Sequence, residues 1–141
     1  MRLSQKGEYG LHALIALARH YGQGPLQSAA IAAQREIPAQ YLQQILLSLQ
    51  RAGLIRSERG RRGGHELARP PAEISLLSAV QALEGPLDLG PSLSCKQHEY
   101  CVLRDVWQRV AEATQTILES VTLADLARQE EEHDAAPMYY I

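Results

Sequence analysis

Between Ala39 and Leu67 the chain reads AQYLQQILLSLQRAGLIRSERGRRGGHEL, and few folds accommodate that order of residues. Tyr41, Leu42, Ile45, Leu46 and Leu49 recur at three- and four-residue spacing. That spacing predicts an amphipathic helix over Pro38 to Ala52, with Gln40, Gln43, Gln44, Gln50 and Arg51 largely outward. Gly53 then suits the position just past a helix end, where the backbone turns left-handed. Two short strands, Leu54–Glu58 and His65–Leu67, flank the tip Arg59–Gly64, whose glycines let a ribbon reverse tightly. A helix followed by a two-stranded ribbon tipped with arginines is the result.

What precedes this unit completes it. Tyr9, Leu11, Leu14, Ile15, Ala18 and Tyr21 predict a first helix from Ser4 to about Tyr21, broken by the glycines and proline of YGQGP. Ser28 is the expected N-cap of a short Ala-rich helix to about Gln34, and Arg35 to Ile37 form a tight connection. Helix, turn, helix and ribbon in this order make a winged helix-turn-helix, an arrangement that sets its second helix in a groove of duplex DNA. Beyond it, RPP (69–71) stops the ribbon, and Glu73 to Gly85 resume a helical pattern through Ile74, Leu77, Val80 and Leu83. An irregular stretch, PLDLGPSLSCKQHEYC, carries both cysteines. From Leu103 to about Ser120, Leu103, Val106, Trp107, Val110, Ala113, Ile117 and Leu118 repeat at three and four. This long stripe is expected to pack against a partner chain. Thr122 is placed to cap a last short helix, LADLARQEEE. The QEEEHD run reads as its solvated end, and HDAAPMYYI as a loose tail.

The fold class expected is therefore mainly α with a small β-wing, a winged helix-turn-helix domain plus a long dimerisation helix. Its expected organisation is 1–70 as the DNA-binding domain, 71–130 as a sensor loop with dimerisation helices, and 131–141 as a flexible C-terminal tail.

Composition narrows the function. Hydrophobic residues make up 45%, yet there is no Phe and one Trp, so the core is built of Leu, Ile, Val and Ala and favours helices. The net charge of −2 conceals two unlike halves. Residues 1–70 carry ten Lys/Arg against four Glu, a net +6, while residues 71–141 carry four against twelve acids, a net −8. The first half suits a polyanion and the second repels one. No apolar run is long enough to span a membrane and the N-terminus lacks a signal-peptide core, so a cytoplasmic location is expected. No nucleophile–base arrangement, phosphate cradle or HExxH motif points to an enzyme or to a small-molecule substrate.

The candidate DNA contacts follow from chemistry. Arg56, Arg59, Arg61 and Arg62 lie within seven residues, with Gly60, Gly63 and Gly64 allowing close approach to a backbone. Arginine pairs with phosphate and enters a narrow minor groove. Gln side chains offer a donor and an acceptor to an adenine edge. The set of contacts expected on double-stranded DNA is Ser28, Ala39, Gln40, Tyr41, Gln43, Gln44, Arg51, the four wing arginines and Gly63. Cys95 and Cys101, spaced Cys-x5-Cys with His98 between them, leave three readings open: metal ligands, loop thiols, or a reversible disulfide. His12, His20 and His133 show no ligand spacing, and His65 is expected to face solvent on the wing.

KGEYGL near the start, YLQQIL in the third helix, and GRRGG followed by LARPPAEI resemble the Rrf-two (Rrf2) family of bacterial regulators over roughly residues 1–130. The resemblance implies a homodimer on a pseudo-palindromic operator, with the long helix crossing between subunits, recognition helices in major grooves and wings in minor grooves. It implies a repressor. Many members hold an iron–sulfur cluster through three cysteines and a fourth ligand. Here Cys95 and Cys101 match the second and third of these. The first would fall near Leu89, and Arg104 occupies the position of a later histidine. The three-cysteine cluster therefore cannot form as such. Members with two cysteines are the nearer pattern, and the ligand set they imply for a [2Fe–2S] cluster is Cys95, Cys101, Glu8 of the partner subunit and one further residue, with His98 a candidate. Other members lack a cluster, leaving a Cys95/Cys101 thiol switch or a partner protein as the alternative means of control.

Overall fold

The computed structural model describes residues 2–87 and 102–136. Helix α1 (Gln5–Arg19) starts at Ser4, whose Oγ accepts the Gly7 N–H at 3.0 Å. Helix α2 (Ser28–Arg35) follows, and Glu36 closes it in the left-handed region at φ 54°. Helix α3 (Ala39–Arg51) ends before Gly53, whose φ of 78° is the left-handed turn expected there. Strands β1 (Ile55–Glu58) and β2 (Gly64–Leu67) pair antiparallel, with Ile55 opposite Leu67 and Glu58 opposite Gly64. A single turn of 3-10 helix at Pro71–Glu73 occupies part of the expected linker. Helices α4 (Leu76–Glu84), α5 (Val102–Ser120) and α6 (Leu123–Ala135) complete the described chain.

The core forms around α1. Its Ala13, Leu14, Leu17 and Ala18 meet Ile31 of α2 and the inward row Leu42, Ile45, Leu46 and Leu49 of α3. Ile55 and Leu67 of the wing, Ala79 and Leu83 of α4, and Leu123 and Ala127 of α6 close the same cluster. Each fully buried aliphatic side chain stabilises the fold by about 1.5–3 kcal/mol. The cluster thus joins residues from both sides of position 70.

Two backbone bridges set the connections. Leu26, before α2, exchanges N–H···O bonds of 2.8 Å in both directions with His65 of β2, which anchors the wing to the helix-turn-helix. Ser75 lies opposite Thr122 in a second bridge, made by the bonds of their neighbours: Leu76 N–H donates to Val121 O at 2.7 Å and Leu123 N–H to Ile74 O at 2.9 Å. Both bridging residues are also caps. Ser75 Oγ accepts from Ser78 N–H, and Thr122 and Asp125 bond reciprocally in a capping box at the start of α6.

Three local expectations are corrected. Ser28 is not the N-cap of α2; Gln27 is, and Ser28 is the first helical residue. The last helix is not short, because α6 runs on through Ala135, so residues 131–135 of the expected tail are helical. Residues 137–141 lie outside the described residues. The acidic run, finally, is not merely a solvated end. Glu130 accepts from both terminal guanidinium nitrogens of Arg35, at 2.7 and 2.8 Å, and from Arg19 at 2.8 Å, while Asp134 accepts from Arg19 at 2.6 Å. The sequence could not show this, because the partners lie about a hundred residues apart and meet only when α6 returns to α1 and α2.

These ion pairs hold the Glu130 carboxyl far down, from the usual 4.5 to about 2, first through the hydrogen bonds from Arg35 and then through those from Arg19. Arg19 is raised in turn, first by its bond to Glu130. Since the folded state lowers the Glu130 pKa, its contribution is complete above 4.5 and fades as pH falls toward 2. Glu130→Gln should destabilise the protein by about 1–2 kcal/mol at neutral pH. In urea titrations the gap between wild type and variant should shrink as the pH is lowered through that window. A gap that holds constant would show that the charge on Glu130 contributes nothing.

Candidate nucleic-acid interface

Helix α3 presents two unlike faces. Leu42, Ile45, Leu46 and Leu49 are buried, whereas Ala39, Gln40, Gln43, Gln44, Gln50 and Arg51 are exposed. Leu47 joins the exposed side at 46% accessibility. It was not among the expected contacts, although the spacing 40, 43, 44, 47, 51 marks an apolar residue on a polar stripe, the kind that packs on a thymine methyl. Ser28 of α2 is half-buried, and its Oγ accepts Gln43 Nε2 at 3.2 Å, so it orients a side chain on the outer face of α3. Tyr41 is also half-buried, with its ring edge-on to Tyr9 of α1 at a centroid distance of 5.6 Å.

The wing shares the core with α3 through Ile55 and Leu67. Arg59, Arg61 and Arg62 are exposed at its tip. Gly63 N–H donates to Gly60 O at 3.1 Å, and a Cβ at Gly63 would collide with the Glu58 carbonyl. Gly63 is therefore buried inside the turn, where it shapes the ribbon. Arg56 lies opposite Glu66 in the strand register and pairs with it at 3.4 Å. With 65% of its side chain exposed, that pair is weak and easily exchanged for a phosphate. Gln27, absent from the expected contacts, donates from Nε2 to Arg61 O at 3.2 Å and ties the tip to the start of α2. No local pattern flags Gln27; only the fold brings the two together.

His65 departs from its expected exposure. It is half-buried, its Nδ1 lies 2.7 Å from Ser57 Oγ across the ribbon, and burial lowers its pKa below the usual 6.5. It braces the wing.

Of the candidate metal ligands, Glu8 is exposed in the first turn of α1. Cys95, His98 and Cys101 lie outside the described residues. The end of α4 is tied to the N-cap of α1: Glu84 Oε1 accepts from both Ser4 N–H at 2.8 Å and Ser4 Oγ at 2.6 Å.

A family model described as an iron-dependent transcriptional regulator, Rrf2, matches residues 3–129. The chain belongs to the Rrf2 family. The HTH-type transcriptional regulator CymR of Bacillus subtilis is 36% identical over 141 residues, the whole of both chains. The solved structure of CymR, the global cysteine regulator of B. subtilis, superposes with a TM-score of 0.81 at 36% identity, covering 92% of this chain and 98% of that one. T. potens IscR gives 0.79 at 35% identity, covering 99% and 97%. The oxidised form of Staphylococcus aureus CymR gives 0.74 at 37% identity, covering 90% and 96%. These Rrf2 relatives are transcriptional regulators, not enzymes, and so is this one. No helix among the described residues is long and apolar enough to cross a membrane.

If the wing arginines meet phosphates, the contact has a quantitative signature. Changing Arg61 and Arg62 together to Ala should weaken binding to duplexes of any sequence, and should flatten the log–log salt dependence by about 0.9 for each phosphate no longer neutralised. Anisotropy titrations across a salt series measure both. An unchanged slope would take these two arginines off the DNA.

Proposed function

We propose that this Rrf2 protein is a homodimeric repressor of a pseudo-palindromic operator, with α3 in the major groove and the arginine wing in the adjacent minor groove. The observation that carries this reading is the amide-rich outer face of α3 set beside the arginine tip, the two linked through Gln27 and Ser28. Gln40, Gln43 and Gln44 read base edges, Arg51 and Arg56 take flanking phosphates, and Arg59, Arg61 and Arg62 enter the minor groove. Dimerisation is supported by α5. Val102, Leu103, Val106, Trp107, Val110 and Ile117 are 40–66% exposed, a stripe of apolar surface that a lone chain leaves in water.

The regulatory input is read at the cysteine segment. Cys95 and Cys101, with Glu8 of the partner subunit and His98, form a donor set suited to a [2Fe–2S] cluster: two soft thiolates, a carboxylate and an imidazole. Such a cluster would supply one-electron redox sensitivity, at a potential raised by its non-thiolate ligands. Glu8 is exposed and available to a second subunit, while the bonds of Glu84 to Ser4 tie the end of α4 to the first turn of α1 that carries Glu8. A second reading, a thiol switch between Cys95 and Cys101, is favoured by the likeness to Staphylococcus aureus CymR, which was solved in an oxidised form.

An anaerobic absorbance spectrum of freshly purified protein, with iron and acid-labile sulfide counted per chain, separates the two. The cluster reading expects visible charge-transfer bands, near-equal iron and sulfide, and their loss in Cys95→Ala or Cys101→Ala. A colourless protein that takes up no iron on reconstitution would contradict it and leave the thiol switch.

A further inference from the structure

A recess of about 350 Å³ opens between the N-terminal turns of α1 and α3, lined by Gln5, Tyr9, Pro38, Gln40, Tyr41 and Gln44. Among the described residues, no carboxylate lines it. The larger recess of about 590 Å³, between α1, α2 and α6, is different, because Glu130 and Asp134 line it and already occupy its arginines. We propose that the smaller recess holds one phosphate of the DNA strand bordering the groove that α3 enters, with the Tyr9 hydroxyl as its principal donor. The inference rests on the reading of α3 as the recognition helix and adds α1 to the contact surface.

The hydrogen bonding inside the recess carries the argument. Gln5 Nε2 donates to Tyr9 Oη at 3.2 Å. That bond uses a lone pair of the hydroxyl and leaves its proton to be given away. A hydroxyl that accepts one hydrogen bond is also polarised to donate another more strongly. The ring is not free to swing: it packs edge-on against Tyr41 at 5.6 Å with an interplanar angle of 77°, a favourable aromatic geometry. Tyr41 lies between Gln40 and the Gln43–Gln44 pair, so the same contact fixes α1 against the base-reading helix. Gln40 and Gln44 border the recess on its α3 side, so a phosphate held by Tyr9 would lie next to the base-reading amides. Such a site suits a phosphate oxygen approached by uncharged donors, a contact that positions DNA without reading its sequence.

Neutral donors give this contact a signature unlike that of the wing. Removing one releases no extra counterions, so affinity should fall while the salt slope stays constant. The test compares wild type, Tyr9→Phe, Gln5→Ala and the Arg61→Ala/Arg62→Ala double variant. The probes are two fluorescein-labelled duplexes of about 30 base pairs and unrelated sequence, titrated from about 50 mM salt upward. Tyr9→Phe keeps the ring pair, so its melting temperature should match wild type. It should bind both duplexes about three- to tenfold more weakly with the slope unchanged, and Gln5→Ala should show a smaller loss of the same kind. If Tyr9→Phe binds as wild type while the arginine variant is impaired, the recess holds no phosphate and the reading of the wing stands. A loss confined to one duplex would make Tyr9 a base contact and overturn the proposal. Wild-type protein that binds neither duplex at the lowest salt would overturn the DNA reading itself.

Discussion

Helix α1 contributes Ala13, Leu14, Leu17 and Ala18 to a core shared with α2, α3, the wing, α4 and α6, so none of these elements can move far without uncovering apolar surface on another. At about 25 cal/mol per Å² of apolar area, this shared burial outweighs any polar contact in the molecule. The position of α3 follows from it. The helix is held by its inward leucines and Ile45, which leaves its outer face free of structural duty. A recognition surface needs that separation, because substitutions on the outer face can change what is bound without unfolding the protein.

The polar contacts set orientation within that frame. Arg19 and Arg35, on two different helices, converge on Glu130, and the contribution of these pairs is a few kcal/mol at most. They join α6 to α1 and α2, and α6 follows α5 directly through the Thr122 cap. The wing is fixed separately by the pairing of Leu26 with His65, the hydrogen bond between Gln27 and Arg61, and the half-buried His65.

Periodicity made most of the elements legible. The rows Leu42–Ile45–Leu46–Leu49 and Val106–Trp107–Val110 gave their helices because one face of each is apolar, and Gly53 and the RGRRGG tip punctuate the chain as backbone sterics require. Caps were harder. Thr122 was recognisable as a cap, but Ser28 missed by one position because Gln27 caps α2 with no side-chain bond. What stayed hidden was long-range. Glu130 among other acids looks solvated until α6 folds back, Gln27 carries no motif, and His65 looks exposed until Leu26 pairs beside it. At the site, residue types indicated chemistry, while the burial of Gly63 and the Arg56–Glu66 pair depended on geometry that no local window contains.

Rrf2 membership fixes the class of activity, and the arrangement of α3, the wing and the apolar stripe of α5 carries the proposed mode of action. Hydroxyl-radical footprinting on a duplex selected from a random pool tests that mode most directly. Two protected blocks related by a dyad, with major-groove centres about one helical turn or a multiple apart and flanking minor-groove protection, are the predicted result. A single unsymmetrical block, or protection lacking the minor-groove flanks, would contradict the account.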